Sequence, residues 1–187
     1  MCDRNSVIIQ AAKVQFNRQP RLNVIISVLE QMLSGPHLPP RRSGGPDLEP
    51  GLVGLLGISN VSVDQLDALL GRARIRPVFV QNRCLARASW GAEVRALCHT
   101  QGVIYQAFSL LSGNHQVLLK PRVAEIARHH NKTVPQVVFR FAVQLGMLPL
   151  TGTTDGAHMR HDLDILDFTL THDETETMLA LGGLRSG

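Results

Sequence analysis

From residue 51 onward the chain alternates between short apolar runs and amphipathic stretches. The run Leu52–Asn60, Leu-Val-Gly-Leu-Leu-Gly-Ile-Ser-Asn, ends in two small polar residues. A buried parallel strand reads this way when its C-terminal end opens onto a site. The pattern predicts a strand over Leu52–Ile58 and then a helix over Val63–Gly71. In that helix Val63, Leu66, Leu69 and Leu70 recur at helical spacing, Ser62 is the N-cap and Gly71 marks the end. Further along, strands are expected at Pro77–Gln81, Val103–Ser109 and Met147–Leu150, the last with the tip Thr151-Gly-Thr-Thr154. Helices are expected at Gly91–His99, stopped by Gly102, and at Pro121–His130, Val134–Leu145 and near Ala157–Leu163. A final helix is capped by Thr171 or Asp173. Thr133-Val-Pro-Gln136 has the form of a capping box, with proline in the first turn where its missing N–H costs little.

Repeated strand–helix alternation predicts an α/β fold whose parallel strands are joined by right-handed crossovers. Pattern alone leaves open an open sheet or an arc of a barrel. In either, ligands sit at the C-terminal tips of the strands. Neither GxGxxG nor GxxxxGK[ST] occurs, so the usual dinucleotide and phosphate loops are absent. Ahead of this region, residues 1–33 form an N-terminal segment with a candidate short strand at Val7–Ile9 and an amphipathic helix at Asn23–Leu33. Residues 34–50 are a Pro/Gly-rich linker, and residues 51–187 are the α/β domain.

Composition narrows the class. The 187 residues are 44% hydrophobic and 18% charged, as in a globular chain, and at 4% aromatic the core must be built from aliphatic side chains. The net charge of +4 comes largely from scattered arginines. Without a concentrated basic patch, nucleic acid is not an expected partner. Three cysteines, Cys2, Cys84 and Cys98, without CxxC spacing argue against a zinc ribbon or a disulfide scaffold. They fit reduced thiols in a cytoplasmic protein. No signal-peptide order and no apolar run of membrane-spanning length is present.

Several residues carry candidate chemistry, each with a plain structural alternative. Ser59-Asn60 either ends a strand and opens a turn or faces a ligand. Phe108 is either core or a stacking surface, and Gln81 either satisfies backbone or contacts a ligand. Thr151-Gly-Thr-Thr is either an ordinary turn or a phosphate loop made of backbone amides. His129-His130 reads as the solvated end of a helix. His158, His161 and Asp162 have ligand-like helical spacing but read as surface, so no metal site is expected. Cys84 and Cys98 read as packing.

Taken together, Gly57-Ile-Ser-Asn60, Val80-Gln-Asn82, Ala107-Phe-Ser-Leu-Leu111 and Thr151-Gly-Thr153 resemble, in order and spacing, the aldo-keto reductases. Lys132-Thr-Val-Pro-Gln-Val-Val-Phe-Arg140 is similar to that family's Lys-Thr-Pro-Ala-Gln-Val-Leu-Arg-Trp helix, and His158–Phe168 to its adenine-side segment. The likeness covers about residues 52–184. It implies a partial (β/α)8 barrel, roughly the last four β/α units. It also implies an NAD(P)(H)-dependent oxidoreductase interconverting carbonyls and alcohols by hydride transfer, with NADP(H) or NAD(H) as cofactor.

The resemblance implies site residues position by position. Ser59, Asn60 and Gln81 match contacts to the nicotinamide carboxamide. Phe108 stands where an aromatic, usually Tyr, stacks on the nicotinamide, and Ser109 and Leu111 match the pyrophosphate loop. Gly152 and His158 occupy the places of a Lys and an Arg that grip the 2′-phosphate, with Thr153 at the neighbouring Ser; losing both charges weakens selection for NADPH. His161 and Asp162 match the adenine contacts. The family's catalytic Asp, Tyr, Lys and His lie in the barrel half that the likeness does not cover. The lone tyrosine, Tyr105, matches no catalytic position. The expectation is a truncated, catalytically impaired oxidoreductase, with no catalytic residue assigned. The alternative is a non-catalytic nucleotide-binding or protein-interaction module. A half barrel exposes strand edges, which leaves three alternatives open: residues 1–33 supply a strand and a helix that cover part of the gap, a homodimer or a partner chain completes the barrel, or a truncated chain folds poorly and aggregates.

Overall fold

The computed structural model describes residues 55, 57–73, 76–152 and 164–183. The expectations at Val7–Ile9, Asn23–Leu33, the 34–50 linker and the helix near Ala157–Leu163 lie outside the described residues. The chain forms two compact units, Met1–Val80 and Gln81–Gly187. No helix among the described residues is long and apolar enough to cross a membrane.

In the first unit, strand β1 (Gly57–Ser59) leads into helix α1 (Val63–Arg72), and the unit ends with the first residues of β2 (Phe79–Arg83). The start of the Leu52–Ile58 strand lies outside the described residues, apart from Leu55; the observed strand continues to Ser59. β1 lies beside β2, and a Cβ on Gly57 would stand only 3.2 Å from Phe79 Cβ. Ser62 caps α1 with a full capping box. The Gln65 amide donates to Ser62 Oγ at 3.2 Å, and the Ser62 amide donates to Gln65 Oε1 at 2.9 Å. The helix buries Leu66 and Leu69. Gly71 does not end it: the helix runs to Arg72, and extended Ala73 donates to the Leu69 carbonyl at 2.7 Å.

In the second unit the rest of β2 is followed by β3 (Ile104–Phe108) and β4 (Leu148–Pro149), neighbouring in that order. β3 and β4 are parallel, with Gln106 opposite Leu148 and Ala107 opposite Pro149. β2 starts two residues later than the pattern predicts, because Pro77 has no N–H to give to a ladder. β3 and β4 are each shorter at both ends than expected: the Val103 and Met147 amides donate back to the Cys98 and Ala142 carbonyls, while the Leu150 amide donates across to the Ala107 carbonyl just beyond β4.

Helix α2 (Ala92–Gln101) is bounded by glycines. Gly91 precedes it at φ 69°, and Gly102 closes it at φ 67° with its amide on the Cys98 and His99 carbonyls. A 3-10 turn at Ser112–Asn114 and the short helix α3 (His115–Leu118) follow β3, and the hydrophobic pattern does not signal either. Next come α4 (Pro121–His129), α5 (Val134–Gln144) and α6 (His172–Leu179). Thr133 caps α5 and Thr171, rather than Asp173, caps α6, each with a complete capping box. α5 buries Val137, Val138, Phe139, Phe141 and Ala142 and is the central helix of the unit.

A turn over Ala86–Gly91 precedes α2 and organises the core. Ser89, Trp90 and Gly91 all have left-handed backbone, at φ 52°, 55° and 69°. This reversal drives the Trp90 ring into the interior, where it has no exposed surface. The ring meets Phe141 edge-on, with centroids 5.1 Å apart. Its indole N–H donates to the Met178 carbonyl at 3.0 Å, tying the turn to α6. Its carbonyl accepts from Arg95 Nε at 2.9 Å and from the Cys84 thiol at 3.5 Å.

Gly91 is required twice, by its positive φ and because a Cβ there would collide with the Tyr105 hydroxyl. Gly91→Ala should therefore cost about 2–4 kcal/mol, read from urea unfolding. A Tyr105→Phe background should recover part of the loss, since it removes the clash and leaves the dihedral. An unchanged unfolding midpoint in Gly91→Ala would show that the turn is not built this way.

Candidate functional site

Two of the described strand tips that carry candidate residues end alike, each in its own unit. β1 ends at Ser59, and Asn60 turns into the left-handed region at φ 58°. Asn60 is exposed, and its Nδ2 donates to Ser59 Oγ at 3.1 Å. β3 ends at Phe108, and Ser109 turns left-handed, also at φ 58°. Asn tolerates this conformation better than other side chains and Ser less well. Residues held there cluster at ligand clamps.

The loop after β3 is closed by its own hydrogen bonds. The Gly113 amide donates to the Ser109 carbonyl at 3.0 Å, and the Asn114 amide to the Leu111 carbonyl at 3.1 Å. A Cβ on Gly113 would press into the Leu85 side chain, so this glycine permits the close approach. Asn114 is buried and saturates the junction. Its Nδ2 donates to the Cys84 carbonyl at 2.9 Å and to the Leu110 carbonyl at 2.8 Å. Its Oδ1 accepts from the Ala86 amide at 2.7 Å. The Cys84 amide donates to the Phe108 carbonyl at 2.9 Å. The segments leaving β2 and β3 are thereby fixed to one another. Asn114 is a positioning residue that sequence reasoning missed, and an asparagine after Ser-Gly reads as an ordinary turn residue.

This arrangement gathers Phe108, Ser109 and Leu111 into one loop, with Gln81 on the neighbouring strand. Gln81 lies in the middle of β2 and is half-buried, whereas the pattern placed it at the strand's end. Phe108 is half-buried, and the Arg83 guanidinium lies over its ring, 5.7 Å from the centroid. One ring face is thus taken by a cation. Leu111 is half-buried. Gly152 is exposed, with open space where a side chain would extend. Thr153, His158, His161 and Asp162 lie outside the described residues. Ser59 and Asn60 belong to the first unit, and Gln81, Phe108, Ser109, Leu111 and Gly152 to the second.

The buried ionisable groups between these elements are not poised for chemistry. Burial pushes the Cys84 thiol up to about 12 against a smaller lowering by Arg95, and burial pushes Cys98 up to about 11. Tyr105 sits inside β3 almost fully buried, and burial, followed by the nearby Cys84, raises its phenol well above the ordinary value. That is the opposite of the shift a proton-donating tyrosine needs at neutral pH.

Parallel strands, helical crossovers and ordered loops at strand tips are those of a (β/α)8 enzyme fold, of which this chain is a part. The chain belongs to the aldo/keto reductase family, whose model matches residues 48–182. It is 31% identical over 139 residues to the uncharacterised oxidoreductase YtbE of Bacillus subtilis, covering 73% of this chain and 49% of that protein. It is 32% identical over 132 residues to glyoxal reductase of the same bacterium, covering 70% and 47%. An aldo-keto reductase solved in complex with NADPH superposes with a TM-score of 0.62 at 22% identity, covering 71% of this chain and 44% of that one. The chain thus spans about half the length of the curated relatives it matches. The fold is α/β, a partial barrel, as the sequence pattern and resemblance imply.

Asn114→Ala should destabilise the chain by about 2–4 kcal/mol, because it strands one buried donor and two acceptors. Amide hydrogen exchange at Ala86 and at Gly113 should accelerate together. Acceleration at one without the other would show that Asn114 does not couple the two segments.

Proposed function

We propose that this chain carries the cofactor-binding part of an NAD(P)(H)-dependent oxidoreductase of aldo-keto reductase type. Ser59, Asn60 and Gln81 would hold the nicotinamide carboxamide. Phe108 would stack on the ring through the face that Arg83 leaves open, and Ser109 and Leu111 would hold the pyrophosphate. Gly152 and Thr153, with His158 and Asp162, would take the adenosine end. The observation that carries this reading is the family match over residues 48–182, which spans every one of these positions. The NADPH complex of a fold relative supports the cofactor class. Among the described residues no fixed cation stands beside Gly152, which favours no strong selection between NADH and NADPH.

A nucleotide bound there would supply a hydride. Ser59, Asn60, Gln81, Phe108, Ser109 and Leu111 would bind and orient it, and none of them is assigned as donor of the proton that a reduced carbonyl oxygen needs. The lone tyrosine is buried in β3 with its phenol held protonated. The chain by itself is therefore proposed to be impaired in turnover, with a second copy or a partner chain completing the barrel. The same observation favours a second reading, a nucleotide-binding or interaction module with no catalysis of its own.

Fluorescence titration with NADPH should show saturable binding. Phe108→Ala should weaken it about tenfold through loss of the stacking surface, and Gln81→Ala by a comparable factor. The purified chain alone should show no aldehyde reduction above background. Binding unchanged in both variants would remove the site assignment, and robust turnover by the chain alone would remove the impairment.

A further inference from the structure

A second constellation of ligand-type side chains lies on the outer face of the second unit and is independent of the strand tips. His129 and His130 end α4, and Glu174 lies in the first turn of α6. His129 Nδ1 is 2.7 Å from Glu174 Oε1, and His130 Nε2 is 2.9 Å from Glu174 Oε2. The donor atoms of all three side chains lie within 4.8 Å of one another. Two adjacent histidines therefore wrap around one carboxylate, using opposite ring nitrogens. A plain ion pair needs only one of them.

We propose that His129, His130 and Glu174 form a binding site for a divalent transition-metal ion of the zinc class. Two imidazoles and a carboxylate are a borderline-soft donor set that suits zinc and leaves a fourth position for water. Metal–ligand bonds of about 2.1 Å place tetrahedral donor atoms about 3.4 Å apart. The two nitrogen–oxygen separations, 2.7 and 2.9 Å, must open to about 3.4 Å and the widest donor separation must contract. Side-chain torsions at the end of a helix can supply both. Each imidazole then presents a lone pair inward and carries its proton on the other ring nitrogen, so no net proton is required.

The surroundings hold the ligands in place. The Thr171 amide donates to Glu174 Oε2 at 2.8 Å as part of the α6 capping box, which orients the carboxylate. Phe168 packs against the His130 ring at 5.1 Å between centroids, and the two imidazoles pack on each other at 4.7 Å. Burial raises the Glu174 pKa, but hydrogen bonds from His130, His129 and the Thr171 amide outweigh it and hold the carboxyl at about 2. The Glu174 and His130 side chains are 13% exposed and that of His129 65%, so an ion can enter from the His129 side. A shallow cavity of about 320 Å³ adjoins it, lined by His129, Glu174, Glu125 and Arg122 among others. Glu125, one helical turn before His129, adds a second negative charge that offsets the positive charge of Arg122.

The test is a titration of the full chain with Co²⁺ followed by visible absorption, and with Zn²⁺ followed by thermal unfolding. The wild-type chain should bind one ion saturably, develop ligand-field bands, and unfold at a higher temperature with Zn²⁺. His129→Ala, at the exposed side of the cluster, keeps the fold and should weaken binding at least about tenfold. Glu174→Gln should do the same, and His115→Ala, outside the cluster, should leave binding unchanged. No saturable binding below millimolar metal would leave only a hydrogen-bonded ion pair and overturn the proposal. So would binding of wild-type strength in both His129→Ala and Glu174→Gln, which would place the ion on other histidines.

Discussion

The second unit depends on one inward-turned side chain. Trp90 arrives in the interior only because three consecutive residues, Ser89, Trp90 and Gly91, take left-handed backbone. For two of them that conformation carries a steric cost of about 1–2 kcal/mol each. It persists because the indole is fully buried, packs edge-on against Phe141, and donates to the Met178 carbonyl 88 residues away in sequence. A buried indole N–H without a partner would be penalised in its place. One ring thus joins the turn after β2 to the central helix α5 and the last helix α6. The Trp90 carbonyl accepts from Arg95 and Cys84, so the strained turn also holds the start of α2 and the end of β2.

On that foundation the strand tips become precise. Asn114 spends all its hydrogen-bonding reach on main-chain groups, joining Cys84, Ala86 and Leu110. A loop fixed through three main-chain bonds can hold Ser109 in a strained conformation that a solvated loop would relax. The Phe108 ring is held by the Arg83 guanidinium on one side and remains only half-buried. Rigid framework below and a constrained loop above is the arrangement in which barrel enzymes present residues to ligands.

The distribution of ionisable groups separates binding from chemistry. The two described thiols and the phenol are buried and pushed away from reactivity, so the interior beneath the loops is inert packing. The strongly depressed carboxyl among the described residues, Glu174, lies instead on the outer face, where two imidazoles converge on it. It also closes the capping box of α6, so one side chain serves both the helix start and the joint between α4 and α6.

How much of this was legible in the sequence depends on range. Helix starts at Ser62, Thr133 and Thr171, the stop at Gly102, and the alternation of strands and helices follow from residues within a few positions of each other, and the sequence pattern finds them. The likeness of Gly57–Asn60, Val80–Asn82 and Ala107–Leu111 to a known family also survives in one dimension, because it is a matter of residue order. Strand ends shifted by one or two residues, because ladder pairing is decided by the neighbouring strand and not by apolar content. Gly71 looked like a helix stop and was not, since a glycine ends a helix only when the chain turns left-handed there. The Trp90–Met178 bond, the Asn114 bonds to Cys84 and Ala86, and the meeting of His129 and His130 with Glu174 join residues from 28 to 88 positions apart. No local preference encodes such pairs. By itself the sequence determined most of the described helices and strands, though not α3, and to which family the chain is akin. Only tertiary structure decided which polar groups share a partner, because burial and hydrogen-bond geometry come into being when distant segments pack.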